Sequence, residues 1–362
     1  MDSLSWTFPI NLVALDKAGI QGLVATLGWP AFRAQQILRW IYRNRIRSID
    51  QMTNLSYTQR EHLQRLATIK RLHPPRVLTS RDGTQKFLFP VDGGQLVESV
   101  LIPDGRRKTL CVSTQVGCTL DCVFCLTGQI GLQRNLTAAE IVDQVLTVQD
   151  YLGKDGYLSS IVFMGMGEPL ANLTAVSDAI ERLTNSTWGV GLSPRRITIS
   201  TAGLVPRLHH LARLGVNLAI SLNATTNAQR DRLMPAVNRL YPLEDLLAAC
   251  RAYPLPNGRR LTFEYVLLAG ENDSDQDARR LATLVRGIRC KINLIPFNEV
   301  PGSPFRRPDE STILRFQSIL RAAGYHVFIR KSRGVDVLGA CGQLGRENME
   351  SRIPLLVGRH VH

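Results

Sequence analysis

Three of the chain's seven cysteines stand within eight residues, in Cys118-Thr-Leu-Asp-Cys122-Val-Phe-Cys125. This run follows a β-rich apolar stretch and precedes a helical one, so local chain geometry alone brings the three thiols to one place. A loop with this spacing can wrap one corner of an iron–sulfur cube and leave a fourth iron without a protein ligand. Such an open metal position is where a substrate or cofactor binds. A structural zinc site is the competing reading, but it would want a fourth Cys or His close by. The next candidates, Cys111 and Cys250, lack the usual paired spacing. Inert thiols are the remaining alternative.

The chain has 362 residues, 44% of them hydrophobic, enough for one large core or two modest ones. No stretch approaches the roughly 18 consecutive apolar residues of a membrane span, and Met1 to Asp16 lacks the basic and apolar regions of a signal peptide. A soluble cytoplasmic protein with no membrane partner is expected, and in that reducing compartment the cysteines do not read as a disulfide framework. Charge is uneven. Against 30 Asp and Glu stand 44 Lys and Arg, a net of +14 that points to a polyanionic partner, nucleic acid first. Half of that surplus lies in residues 1–76, where eleven basic residues face four acidic ones. Residues 31–45 and 58–70 show helical apolar spacing with a basic opposite face, which predicts a small basic helical domain over 1–76.

His73-Pro74-Pro75 ends that pattern, and a short antiparallel β segment over 77–104, with turns at Asp82-Gly83 and Asp92-Gly93-Gly94, is expected to link it to the larger C-terminal part of the chain. From Thr109 onward, β-rich runs at 109–114, 160–164, 196–200, 217–221, 261–267, 291–296 and 326–330 alternate with helical ones at 137–151, 173–184, 204–214, 243–252, 275–287 and 310–323. Thr137 and Glu140 form a capping box. Repeated βα units imply a parallel sheet, and six are too few for a closed eightfold barrel. An α/β fold with an open, partial (β/α)6 barrel over 105–350 and a C-terminal tail over 351–362 is therefore expected, its chemistry at the C-terminal strand ends.

Further segments narrow the reading. Val116-Gly-Cys-Thr-Leu-Asp-Cys-Val-Phe-Cys125, Phe163-Met-Gly-Met-Gly-Glu-Pro-Leu170, Ile199-Ser-Thr-Ala-Gly203, Asn293-Leu-Ile-Pro-Phe-Asn298 and Gly339-Ala-Cys-Gly-Gln-Leu344 occur in this order, with Phe32-Arg-Ala-Gln-Gln-Ile in the basic region. Together they resemble the RlmN/Cfr family of radical S-adenosylmethionine RNA methyltransferases, and most closely its adenine-C2 branch. The likeness runs from about residue 10 to 345. It implies a radical S-adenosylmethionine partial barrel in which Cys118, Cys122 and Cys125 hold a [4Fe-4S] cluster. Gly167, Glu168, Pro169, Ser200, Ser221, Leu222, Asn223 and Asn298 would bind S-adenosylmethionine, two molecules of which are consumed per turnover.

The resemblance makes Cys341 the methyl-carrying cysteine, Cys111 its disulfide-forming partner and Glu98 the acceptor of the C2 proton. C2 of adenine is electron-poor and does not attack an electrophilic methyl, which is why a radical route is required. On that likeness Cys341 would accept a methyl by displacement, a 5′-deoxyadenosyl radical would then activate that methyl for addition to C2, and Cys111 would attack to release product. The implied substrates are 23S rRNA, at the peptidyl-transferase centre, and tRNA, at the adenosine beside the anticodon. An external electron donor, flavodoxin-like or other, must reset the enzyme. Gly334 to Gly345, which carries Cys341, lacks apolar periodicity and reads as a mobile loop. Cys250 and Cys290 read as core filler, and the seven histidines form no ligand set. Leu126, Asn223 and Phe297 depart from the usual family residues, though none removes a ligand. A C8-methylating enzyme of the Cfr type and a non-catalytic RNA-binding iron–sulfur protein are the alternatives. The pairing of Cys341 with Cys111 argues against the latter, since a structural cluster needs neither.

Overall fold

The computed structural model describes residues 9–73, 75–153, 156–300 and 302–346. The tail expected over 351–362 lies outside the described residues.

Ten strands form one sheet in strict chain order: β1 (Arg76–Thr79), β2 (Gln85–Val91), β3 (Gln95–Asp104), β4 (Arg107–Cys111), β5 (Ser160–Phe163), β6 (Ile197–Thr201), β7 (Asn217–Ser221), β8 (Leu261–Leu267), β9 (Cys290–Pro296) and β10 (Val327–Ile329). The first four pair antiparallel. From β4 to β10 every pairing is parallel. Each parallel step needs a crossover, and each contains one long helix. Three helices precede the sheet, α1 (Lys17–Thr26), α2 (Phe32–Tyr42) and α3 (Tyr57–Leu66). The crossover helices are α4 (Ala138–Tyr151), α5 (Leu173–Thr184), α6 (Val205–Leu214), α7 (Leu243–Ala252), α8 (Asp275–Leu284) and α9 (Glu310–Ala322). The result is the open set of six βα crossovers expected of a partial barrel, with β1 and β10 at its two edges.

The β segment over 77–104 does not stand apart as a linker strand set. Through β3 pairing with β4 it is the antiparallel wing of the main sheet, with Val100 opposite Cys111. The helix expected to 70 stops at Leu66, because Ala67–Thr68 leaves to pair with Ile10–Asn11. The Thr137–Glu140 capping box is present at the start of α4.

Two compact units result, neither continuous in sequence. One comprises the described residues of 1–74, 136–157 and 174–193, and the other those of 75–135, 158–173 and 194–362. Within the first, much of the basic charge has an internal partner. Arg71 and Asp143, each 2% exposed, form an ion pair. Asp150 accepts from Arg45 at 2.7 Å, Arg47 at 3.2 Å and Arg71 at 3.4 Å. Arg182 is likewise buried, bonded to Asp178, the Tyr42 hydroxyl and the Val13 carbonyl. Several arginines that the sequence offers as phosphate contacts thus fasten 9–73 to α4, and the exposed cations are the remainder.

The second unit carries the sheet. Its strands are near-continuous apolar runs, as expected of a sheet covered on both faces, with Ile199, Ile220, Phe263 and Ile292 fully buried.

Candidate active site

The cysteine loop begins where β4 has ended. Gln115–Val116 pairs with Arg134–Asn135, so the intervening residues form a closed excursion from the sheet. Cys125 caps the short helix Leu126–Ile130, the Leu120 N–H points at the Cys118 sulfur at 3.4 Å, and the Val123 N–H donates to the Leu233 carbonyl at 3.1 Å. All three thiols are free. Burial pushes Cys118 up to about 12 and raises Cys125, and it lifts Cys122 well above the ordinary thiol value. Desolvated thiols without a cation remain protonated, and a metal is what would draw off their protons. The three thiols line one wall of a cavity.

The turn after β5 forms the next wall. Gly167 has φ of 97°, and a Cβ there would lie 2.6 Å from the Cβ and Cγ of Gln115. Only glycine fits both the conformation and the approach. This tight turn delivers Glu168 into the interior, 3% exposed, with its Oε1 accepting the Leu170 N–H at 2.9 Å and its Oε2 the Ala202 N–H at 2.8 Å. Burial raises its pKa against those hydrogen bonds. Glu168 has no Lys or Arg within 4.0 Å among the described residues, so its charge is capped by dipoles and not neutralised. An ammonium group is the complement it lacks. Pro169 opens the turn of 3-10 helix that follows.

At the ends of β6 and β7, Ser200 and Ser221 bring their hydroxyls 3.2 Å apart. Asn223 adopts the left-handed conformation, φ 58°, which Asn tolerates better than most residues. Its Oδ1 accepts the Val266 N–H at 2.9 Å. A cavity of about 170 Å3 is lined by Cys118, Cys122, Cys125, Gly167, Glu168, Ser200, Ser221, Asn223 and Cys341. An adjoining cavity of about 480 Å3 shares Cys125, Met164, Arg330 and Cys341 with it and adds Cys111 and Asn298. Leu222 is fully buried and lines neither, its N–H being bonded to the Glu264 carbonyl. Two serine hydroxyls, the Glu168 carboxylate and the three clustered thiols share one pocket with a fourth thiol, Cys341, the donor set that a cluster-bound S-adenosylmethionine would need.

The segment carrying Cys341 is tied down from several sides, where its sequence suggests a mobile loop. Asn298 Nδ2 donates to the Cys341 carbonyl at 3.0 Å, the Leu126 N–H to that of Gly342 at 2.8 Å, and Thr127 Oγ1 to that of Leu344 at 2.7 Å. Asp82 accepts the Gly334 N–H. These are backbone anchors, invisible to side-chain periodicity. Asn298 Oδ1 is buried without a hydrogen-bond partner, a polar atom awaiting a donor beside the larger cavity. Cys111 and Cys341 are both free thiols, so the expected disulfide between them is not formed in this structure. Burial, and next the nearby Cys341, pushes Cys111 up to about 12.

Glu98 is fully buried and lines neither cavity. Its Oε2 lies 3.3 Å from Lys86 Nζ, and its Oε1 accepts the Gly345 N–H at 2.9 Å.

Sequence reasoning missed two charged residues. Arg330, immediately after β10, lines both cavities, and its Nη1 is 3.7 Å from Glu264 Oε2. The proximity of Cys341 first, then of Glu264 and Cys111, raises its already high pKa. Glu264, a carboxylate inside the apolar run of β8, was the available signal, as was the position of Arg330 at a C-terminal strand end.

Residues 112–282 match the model of the Radical SAM superfamily, which is the class that this open barrel and three-cysteine loop define. Residues 10–69 match the ribosomal RNA large subunit methyltransferase N-terminal domain. A protein of Geobacter sulfurreducens named dual-specificity RNA methyltransferase RlmN is 52% identical over 353 residues, 97% of this chain and 96% of its own length. Its namesake from Desulfosudis oleivorans is 50% identical over 344 residues, 95% of this chain and 92% of its own length. A crystal structure of a radical SAM methyltransferase from Sphaerobacter thermophilus superposes with a TM-score of 0.86 at 45% identity, covering 92% of this chain and 99% of the other. The chain belongs to the RlmN family of radical S-adenosylmethionine RNA methyltransferases. It is an enzyme of that class, whose members use a [4Fe-4S] cluster and S-adenosylmethionine.

Proposed function

We propose that the chain methylates C2 of adenosine in 23S rRNA, at the peptidyl-transferase centre, and in tRNA, beside the anticodon, with Cys341 as methyl carrier. The observation that carries this reading is that Cys341 lines the same cavity as the three cluster cysteines and Glu168, and a second one with Cys111. Bound at Cys118, Cys122 and Cys125, the cluster would supply the electron that cleaves S-adenosylmethionine reductively. The chain's own residues do the rest. Glu168 receives the cofactor ammonium, while Ser200, Ser221, Asn223 and Asn298 offer hydrogen bonds to its ribose and carboxylate. Arg330, beside both thiols, stabilises whichever is ionised. Cys341 first carries the methyl as a thioether. Once the carbon is attached to the base, the Cys111 thiolate would attack Cys341 sulfur; the Cys341 S–C bond breaks, the departing carbon takes a proton to become the product methyl, and the resulting Cys111–Cys341 disulfide is reduced by an external two-electron donor. For Glu98 as acceptor of the C2 proton the support is positional: it shares a strand face with Val100, the register partner of Cys111.

Exposed cations of the first unit, those without internal ion pairs, would hold RNA phosphates while the target base is extruded toward the cavity. Among the described residues no helix is long and apolar enough to cross a membrane, and we place the activity in the cytoplasm with its RNA. The test is mass spectrometry of nucleosides from rRNA and tRNA incubated with anaerobically reconstituted enzyme, reductant and S-adenosylmethionine. 2-Methyladenosine in both pools is expected. 8-Methyladenosine would move the chain to the C8 branch, and no methylated adenosine would refute the reading.

A further inference from the structure

Opposite the catalytic ends of the strands lies a third cavity, of about 490 Å3, lined by Arg195, Arg259, Arg260, Lys291, His326 and Phe328 among others. The strand boundaries place it unambiguously. Arg195 precedes β6, Arg259 and Arg260 precede β8, Lys291 is the second residue of β9, and His326 precedes β10. All lie at N-terminal strand ends, whereas Glu168, Ser200, Ser221 and Asn298 lie at or beyond the C-terminal ends. Five-to-seven-residue strands separate the two faces by roughly 17–23 Å.

Four permanent cations from three chain segments share this groove, and no Asp or Glu lines it. None of the four has a carboxylate within 4.0 Å among the described residues, unlike Arg45, Arg47 and Arg71 of the other unit. Neighbouring like charges without counter-charge repel each other, so the cluster is stabilised by an anion. The groove is also built. Asn217 Nδ2 donates to the carbonyls of Arg195 and Ile197 at 2.7 and 3.1 Å, and Arg259 Nη1 to that of Gly215 at 2.6 Å, which fixes its guanidinium along the rim. Phe328, on the edge strand β10, is 53% exposed beside these cations. Cations that track phosphates together with an exposed aromatic ring make the pairing that single-stranded nucleic acid recognises.

We propose that this groove is a second RNA-binding site, in which Arg195, Arg260 and Lys291 contact consecutive phosphates of a single-stranded segment and Phe328 stacks on one base. It rests on the reading that the substrate is RNA, and would hold a part of that RNA remote from the base being methylated.

The test is fluorescence anisotropy with a fluorescein-labelled 12-nucleotide single-stranded RNA, titrated at several salt concentrations against the full reconstituted enzyme. Three phosphate contacts at about 0.7 each predict that Arg195→Glu/Arg260→Glu/Lys291→Glu makes the slope of log affinity against log salt shallower by about 2. Phe328→Ala should weaken binding about fivefold or more while leaving that slope unchanged. A triple variant with the wild-type slope would overturn the proposal. So would displacement of the RNA by inorganic phosphate at matched ionic strength combined with no effect of Phe328→Ala, since that describes a small-anion site. Methylation of tRNA by the same preparations keeps the two readings separable. Wild-type enzyme that forms no 2-methyladenosine refutes the activity whatever the anisotropy gives, and unaltered slopes in an active enzyme refute only the groove.

Discussion

Gly167→Ala tests whether the turn that delivers Glu168 is held by close packing. An alanine forced to φ of 97° costs about 1–2 kcal/mol from backbone strain alone. The added methyl would also lie 2.6 Å from Gln115 Cβ and 2.9 Å from its backbone nitrogen, neither of which can swing aside. Gln115 is fully buried, and its side chain makes four hydrogen bonds: it accepts from Glu168 N at 2.9 Å and Thr119 N at 3.2 Å and donates to Thr119 Oγ1 and Asn135 Oδ1, both at 2.8 Å. Losing two to four of these at about 1 kcal/mol each brings the total to roughly 3–6 kcal/mol. Gly270→Ala is the control, because Gly270 has φ of 74° with nothing within 4 Å of the added methyl, and should show the backbone strain alone. Thermal melting under anaerobic conditions and equilibrium dialysis of S-adenosylmethionine make the comparison. Gly167→Ala should melt well below Gly270→Ala and bind the cofactor more weakly, since Gln115 ties Glu168 to the residue after Cys118. Equal melting of the two variants with unchanged cofactor affinity would refute the reasoning.

Substituting any one of Cys118, Cys122 or Cys125 by Ala should give colourless protein after reconstitution, checked by visible absorption and iron analysis, while Cys341→Ala keeps the cluster and loses methyl transfer. Cys111→Ala should stall after attack on RNA and leave a protein–RNA crosslink visible on denaturing gels. With its pKa pushed from 9.0 to about 12, Cys111 carries about a thousandfold less thiolate at pH 8 than an ordinary cysteine, so iodoacetamide should label it slowly and about tenfold faster per pH unit until about 12. Arg71→Met leaves the Asp143 carboxylate buried without its partner and should cost about 3–5 kcal/mol, read as a lower melting temperature.

Much of the fold is legible in the sequence because its signals are local. Strands over 217–221 and 261–267 and the helix over 243–252 coincide with their predicted bounds, since apolar periodicity acts within a few positions. The cysteine loop and the Gly-Met-Gly-Glu turn are legible for the same reason. What the sequence conceals is set by distant partners. Glu98 is buried because Lys86 meets it from the neighbouring strand. Arg71 reads as a surface cation until Asp143, 72 residues away, is brought to it. Arg330 becomes a site residue only when β10 sets it beside Cys341.

The central claim is that Cys341 carries the methyl group that reaches adenosine, and an isotope chase tests it most directly. Cys341 is loaded from S-adenosylmethionine bearing a deuterated methyl, free cofactor is removed, and RNA, reductant and unlabelled S-adenosylmethionine are added. Peptide and nucleoside mass spectrometry then follow the label. Deuterium leaving the Cys341 peptide and appearing in 2-methyladenosine during the first turnover is the predicted result. Deuterium retained on Cys341 while unlabelled 2-methyladenosine accumulates would contradict it.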